Sequence, residues 1–542
     1  MKKFILLGTF CWGMLVPGAR ACTSFLAGRN ATIDGSTFIT YAADSHTLYG
    51  ALKFIPAARH PKNSTMEIRE WDTNKLLGHI PQVEYTYKVV GNMNEHQLSI
   101  TESTWGGRPE LVDTTGIIDY GSLMYIALQR AKTAREAITV MTDLVSEYGY
   151  YSSGESFSIA DPEEVWIMEM IGKGPQNQGA VWVAVRIPDD CIAAHANQSR
   201  IHKFPLDDKE NCLYSPDVIS FAREQGYFNG LNKDFSFADA YAPADFGALR
   251  GCEARVWSFY NRFNSSMGKY LSYLNGKSKE YLPLYIKPDK KLSVQDMKDA
   301  MRDHFEGTPF DMTQDVGAGP FKCPYRFRPM TFKVDSVEYT NERAVATQQT
   351  AFTLVAQMRS WLPNAIGGVL WFGVDDTNTC VYVPLYACLN EVPECYSELN
   401  GSMYDLSWTS AFWIHNWVAN MSYSRYDQMI EDIRPVQKDI ETTFYVQQPV
   451  IEKVANDLYR NDPVAAIRFL NAYSVAQAQQ TTVQWKKLGE FLLVKYLDGN
   501  RKKEKGGHFL ENGYGLPADP DFPGYSEEYY RAVAKDAGDR LK

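Results

Sequence analysis

The residue with the plainest chemistry is Cys22, which stands immediately after a stretch that reads as an export leader. Lys2 and Lys3 precede an apolar run from Phe4 to Val16, then Pro17 and the small-residue pattern Ala19-Arg20-Ala21, the order expected of a secretory signal with cleavage before Cys22. Cleavage there would free an α-amine on the residue that carries the thiol. Such an amine has a pKa near 7.7–8.0 and can serve as base for its own nucleophile, so a separate histidine is not required. The competing fate is acylation of the cysteine as a lipoprotein anchor. That processing favours a leucine-like residue three positions before the cysteine and small residues at the next two, where this chain has Ala19, Arg20 and Ala21.

Other reactive constellations are weak. The nine histidines form no HExxH pair and the cysteines no CxxC, so zinc spacing is lacking. His195 and His202 read as core or surface histidines. Asn275-Gly276-Lys277-Ser278 lacks the first glycine of a phosphate loop, because Leu271 stands in its place, and no GxSxG elbow occurs. No metal or organic cofactor is implied. The 542 residues carry a formal charge of −10, and loss of residues 1–21 removes three cations and no acid. An acidic surface of this kind disfavours nucleic acid as a partner. The apolar run in the leader is too short for a stable membrane span and no later stretch is longer, so no transmembrane anchor is expected and the location implied is periplasmic or secreted. Cys380, Cys388 and Cys395 are close enough to form one local disulfide in an oxidising compartment, or to remain buried thiols.

Around Cys22, blocks of sequence run in order along the chain: CTSFLAGRNATIDGSTFITYAADS from 22, GNMNEHQLSITESTWGGR at 91–108, AAHANQSRIHKFP at 193–205, CEARVW at 252–257, EGTPFD at 306–311 and QQTAFTLVAQMRSWLPNAIGGVLWFG at 348–373. Together they resemble the cysteine dipeptidases of the N-terminal-nucleophile hydrolase superfamily. The resemblance implies an α+β fold, a four-layer αββα sandwich, and hydrolysis of dipeptides. Residue by residue it makes Cys22 the nucleophile and Asp44 the acid beside the α-amine. Asn197 becomes an oxyanion donor, a role its amide hydrogens suit, and Arg255 a fixed charge near the thiol, expected to lower its pKa. Glu102 and Thr104 are candidate substrate-binding residues. Thr104 stands close to where related acylases carry an oxyanion-hole asparagine, and Glu102 has the charge to hold a substrate ammonium. The chain departs from the acylases at Tyr41, where they place an arginine, which weighs against an acylase of N-acyl amino acids or conjugated bile acids. That activity and a lipid-anchored, non-enzymatic binding protein remain the alternatives.

The elements that must position these residues follow from the apolar spacing. Short alternating runs at 23–27, 36–41, 83–90, 98–101, 157–160, 165–170 and 181–186 read as strands, and 120–148 as two helices with Thr133 capping the second. A strand-rich stretch at 345–386 contains a buried hairpin. Beyond about residue 400 the period changes to that of helices, at 426–458 and 464–497, with Pro435 and Pro449 expected to break or bend the first. The domain expectation is a leader at 1–21, a catalytic unit at 22–400 and a helix-rich extension with an exposed tail at 401–542.

Overall fold

The computed structural model describes residues 22–542; the leader expected at 1–21 lies outside them. Ten strands carry the centre of the molecule: β1 (Ser24–Ala27), β2 (Thr37–Asp44), β3 (Ser99–Trp105), β4 (Gly154–Ala160), β5 (Val165–Gly172), β6 (Ala180–Arg186), β7 (Ile192–His195), β8 (Thr350–Met358), β9 (Val369–Val374) and β10 (Val383–Tyr386). One sheet has the order β7-β1-β2-β8-β9-β10, with the short strand Tyr285–Ile286 outside β7. The other runs β6-β5-β4-β3, bounded by Cys212–Tyr214 outside β6 and by three two-residue strands beyond β3. Every pairing within the two sheets is antiparallel.

The helices that bear on the two sheets include α1 (Tyr120–Arg130), α2 (Ala134–Tyr148), α3 (Ala254–Phe263), α4 (Val294–Met301), α5 (Ala411–Tyr423), α6 (Tyr426–Tyr459) and α7 (Pro463–Lys495). Leu123, Ile126, Ile138 and Met141 of α1 and α2 pack against Ile100, Phe157, Ile159 and Met168 of the second sheet. The expected cap is present, since the Thr133 hydroxyl accepts from the Glu136 N–H at 3.2 Å. On the first sheet, Ile433, Ile440 and Phe444 of α6 and Leu470, Ala478 and Trp485 of α7 share one apolar cluster with Leu354, Trp371 and Leu385. The C-terminal helices therefore complete the core of the first sheet. Helix α6 continues through both Pro435 and Pro449, and the break expected at these residues is not seen. The eight cysteines from Cys22 onward are free thiols, so the 380–395 group is of the unpaired kind. Residues 83–90 form two short strands, Tyr85–Thr86 and Val89–Val90, in place of one.

Between the two sheets the packing near β1 is polar. Thr101 of β3 donates to the Thr40 carbonyl of β2 at 3.2 Å and its hydroxyl lies 3.3 Å from that of Ser24. His195 of β7, fully buried, is hydrogen-bonded at Nδ1 to Ser103 at 2.6 Å and at Nε2 to Ser158 at 2.7 Å. One ring thus joins the first sheet to two strands of the second, and both ring nitrogens are satisfied, as burial of a polar group demands. Burial, with the nearby charges of Arg200 and Arg255, lowers the His195 pKa to about 3. The unfolded chain binds this proton below about pH 6.5. The stabilisation is accordingly present above pH 6.5 and is lost as pH falls toward 3, at up to about 1.4 kcal/mol per pH unit. Thermal denaturation from pH 7 to pH 5 should show a smaller loss of Tm for His195→Gln than for the wild type; parallel curves would mean that His195 does not carry this linkage.

Candidate active site

Cys22 lies at the open end of β1 and is 5% exposed. Thr23, beside it, forms a bridge with Ala42 of β2. Strand β3 has no neighbour beyond Ile100 on its outer side, and across that open edge the Glu102 carboxyl meets the first sheet. The Cys22 thiol donates to Glu102 Oε1 at 3.3 Å, and the Tyr41 hydroxyl donates to the same oxygen. Tyr41, noted in the sequence only as the place of a missing arginine, is therefore a partner of Glu102.

Arg255 is 1% exposed, and each of its five N–H groups meets an oxygen. Nε donates to the Gly251 carbonyl at 2.8 Å, Nη1 to the Cys22 carbonyl and Thr23 Oγ1 at 2.7 Å each, and Nη2 to the Ala196 carbonyl at 3.0 Å and Asn197 Oδ1 at 2.9 Å. Burial first, then the charge of Arg343, lowers its pKa to about 9. The sequence expectation for Arg255 was depression of the thiol pKa. The thiol is instead raised well above its ordinary value, by burial first and then by the carboxyls of Glu102 and Asp44, against which the Asp44 N–H acts. Burial and the two carboxyls thus favour the protonated form of the Cys22 thiol.

Asn197 occupies left-handed backbone, φ +60°, a region that asparagine tolerates better than most residues. With Oδ1 held by Arg255, its Nδ2 donates to the Thr104 carbonyl at 2.6 Å. The amide orientation follows from these two contacts. The loop that carries it is pinned by Glu169 of β5, which accepts from the Arg200 N–H at 2.6 Å, the Ile201 N–H at 3.2 Å and the Ser199 hydroxyl at 2.5 Å. Arg200 in turn pairs with Glu253 at 3.0 Å, which fixes the turn leading into α3 and hence Arg255. Neither Glu169 nor Arg200 was singled out in the sequence.

Asp44, fully buried at the end of β2, accepts from Thr350 Oγ1 at 2.6 Å and from Arg343 Nη2. Its pKa is raised by burial in spite of Arg343. Arg343 also donates to Thr23 Oγ1 at 3.4 Å. It is an unexpected member of the site, 299 residues from Asp44 in sequence and without motif neighbours to reveal it. Glu155 of β4 is a second. It stands opposite Thr104 in the β3–β4 register, diagonal to Glu102 and on the same face. It is fully buried and neither carboxyl oxygen finds a hydrogen-bond partner among the described residues; the same holds for Glu102 Oε2.

The family model described as peptidase family C69 matches residues 21–439. The chain belongs to this family. It is a peptidase, and Cys22 to Arg343 all fall within the matched span. Similar proteins include a probable dipeptidase of Latilactobacillus sakei, 27% identical over 425 residues that cover 75% of this chain and 82% of that protein. A probable dipeptidase of Salmonella dublin is 27% identical over 408 residues, 71% and 85% of the two chains. A probable dipeptidase B of Streptococcus pyogenes serotype M1 is 23% identical over 512 residues, 89% and 94%. Among the described residues no helix is long and apolar enough to cross a membrane.

The Glu155 pKa is raised well above the carboxylate range, by burial first and then by Glu102. A folded-state pKa above the unfolded value favours the fold below the unfolded pKa, about 4.3, and withdraws that contribution as pH rises toward the folded pKa. Glu155→Gln keeps the shape of the neutral acid and removes its titration. The variant should gain Tm relative to the wild type as pH rises from 5 to 9; a constant difference across that range would show that Glu155 does not titrate as described.

Proposed function

We propose that this peptidase is an exported cysteine dipeptidase, processed before Cys22, with Cys22 as N-terminal nucleophile in the periplasm or outside the cell. The observation that carries the reading is the Cys22 thiol 3.3 Å from a buried carboxyl. In a dipeptide the free α-ammonium is separated from the scissile carbonyl carbon by a single Cα, about 2.5 Å away by standard bond lengths. A thiol poised on that carbon and a carboxylate beside the thiol then meet adjacent atoms of one substrate. Glu102 takes the ammonium, with Glu155 behind it. The match to family C69 and the names of the similar proteins support the same substrate class. The layering proposed is αββα, formed by α1 and α2, the two sheets, and the helices on the first sheet, with residues 22–400 as the catalytic unit and 401–542 as an extension that adds α6 and α7 to its outer layer.

In the proposed mechanism the Cys22 α-amine, beside Asp44, accepts the thiol proton as Sγ bonds to the scissile carbonyl carbon. The carbonyl oxygen, now anionic, is met by the Asn197 amide, whose direction Arg255 and the Thr104 carbonyl set. Collapse breaks the C–N bond, and the α-ammonium gives its proton to the leaving amine. Water, deprotonated by the same α-amine, adds to the thioester and releases the first amino acid and the thiol.

The mature protein should begin at Cys22 with a free amine, as intact-mass and N-terminal analysis would show. A diacylglycerol adduct would instead establish the lipid anchor. Cys22→Ala should fold with activity below detection and Cys22→Ser should retain only a small residue of it, since a hydroxyl is a poorer nucleophile near neutral pH.

Glu102→Gln should raise KM for free dipeptides by tenfold or more relative to N-acetyl dipeptides, the scale of a desolvated charge-assisted contact. Wild-type cleavage of N-acetyl dipeptides or glycine-conjugated bile acids as readily as free dipeptides would establish the acylase alternative.

A further inference from the structure

A dipeptide has a second charged end. From the scissile carbonyl carbon to the carboxyl carbon of the leaving residue is one residue, at most about 3.6 Å. An enzyme that limits itself to two residues has reason to hold this carboxylate a short way from the nucleophile, on the side away from Glu102. The structure has a cavity of about 100 Å³ on the Asp44–Arg343 side of the site, and its lining includes His46, Arg326, Arg328, Arg343 and Gln349. Its inner wall is Arg343, which reaches Thr23 next to the nucleophile.

The charges around this cavity do not cancel. Arg343 is paired with Asp44, Arg326 with Asp315 at 2.7 Å, and Glu342, also in the lining, with Arg250. Arg328 has no carboxylate within 4.0 Å among the described residues; its Nε donates to the Gln349 side-chain oxygen at 3.0 Å, which steadies the guanidinium at the mouth. A second observation is independent of the first. The Arg326 side chain is 10% exposed, and while its Nη2 serves Asp315, its Nη1 is buried with no acceptor among the described residues. A buried donor left unmade is costly and marks a place where an acceptor belongs. Arg328, without a carboxylate partner among the described residues, and Arg326, with a buried donor that lacks an acceptor, both line this cavity, and guanidinium groups bind carboxylates in forked geometry.

We infer that this cavity is the subsite for the free C-terminal carboxylate of the substrate, with Arg328 as its principal ligand and Arg326 Nη1 as the second donor. The inference rests on the dipeptidase reading and gives it a second anchor. Between Glu102 at the amino end and Arg328 at the carboxyl end, the site measures the length of a dipeptide by its two charges. Blocking the carboxyl end should then matter as much as blocking the amino end.

The test uses the mature full-length enzyme with alanyl-alanine and alanyl-alaninamide. Wild-type kcat/KM should favour the free acid by at least tenfold. Arg328→Gln should shrink that ratio by tenfold or more, mainly through KM for the free acid, with Arg328→Lys retaining part of the preference. Arg326→Gln should shrink it by a smaller factor. Arg328 is exposed, so an unchanged Tm is expected to accompany the Arg328 variants. A wild-type enzyme indifferent to amidation, or Arg328 and Arg326 variants that keep the full ratio, would overturn the carboxylate subsite while leaving the dipeptidase reading in place. Cleavage of neither compound, with longer or N-acylated substrates hydrolysed instead, would overturn both.

Discussion

Everything at the candidate site depends on a guanidinium buried, among the described residues, without a carboxylate of its own. Arg255 satisfies all five of its N–H groups with oxygens drawn from three separate parts of the chain: Gly251 in the turn before α3, Cys22 and Thr23 at the start of β1, and Ala196 and Asn197 after β7. A buried charge is tolerated only when its hydrogen bonds are complete, so none of the three segments can move without leaving a donor unmade. This rigid tie holds Cys22 and Asn197 together although they are far apart in sequence. At Sγ, burial and the carboxyls of Glu102 and Asp44 all favour the protonated form.

The supporting residues extend the same logic outward. Glu169 gathers the backbone of 200 and 201 and the Ser199 hydroxyl, and the Arg200–Glu253 pair carries that constraint to the start of α3, whose first turn holds Arg255. On the other side, Arg343 and Thr350 hold Asp44. These groups are fully or almost fully buried, where hydrogen bonds are strong and their loss expensive. Precise placement of a few reactive atoms is thereby obtained from a chain whose local elements are ordinary strands and short turns.

The sequence was legible where physics is local. Alternating runs located most strands of the two sheets, Thr133 announced the start of α2, and the helical period after residue 400 located α6 and α7 to within a few residues. Ordered blocks of sequence brought out Cys22, Asp44, Asn197 and Arg255, and all four are in one place. What could not be read was pairing at long range. Arg343 meets Asp44 from a segment with no motif, and Glu155 joins Glu102 only through the β3–β4 register. Of the break or bend expected at Pro435 and Pro449, a break does not occur: the helix runs through both residues while its apolar side packs on the first sheet.

The ring of His195 between Ser103 and Ser158 has a consequence for how this sheet pair drifts over generations. An apolar interface accepts exchanges of similar volume one at a time. Here, replacing either serine by an apolar residue strands a ring nitrogen, and replacing the histidine strands the Ser158 hydroxyl and leaves that of Ser103 with the Asn197 N–H alone. Single substitutions therefore pass through an intermediate worse than either end. The three positions should be inherited as a unit or exchanged together, and a lineage that retains one while losing another would need a compensating donor from a neighbouring strand.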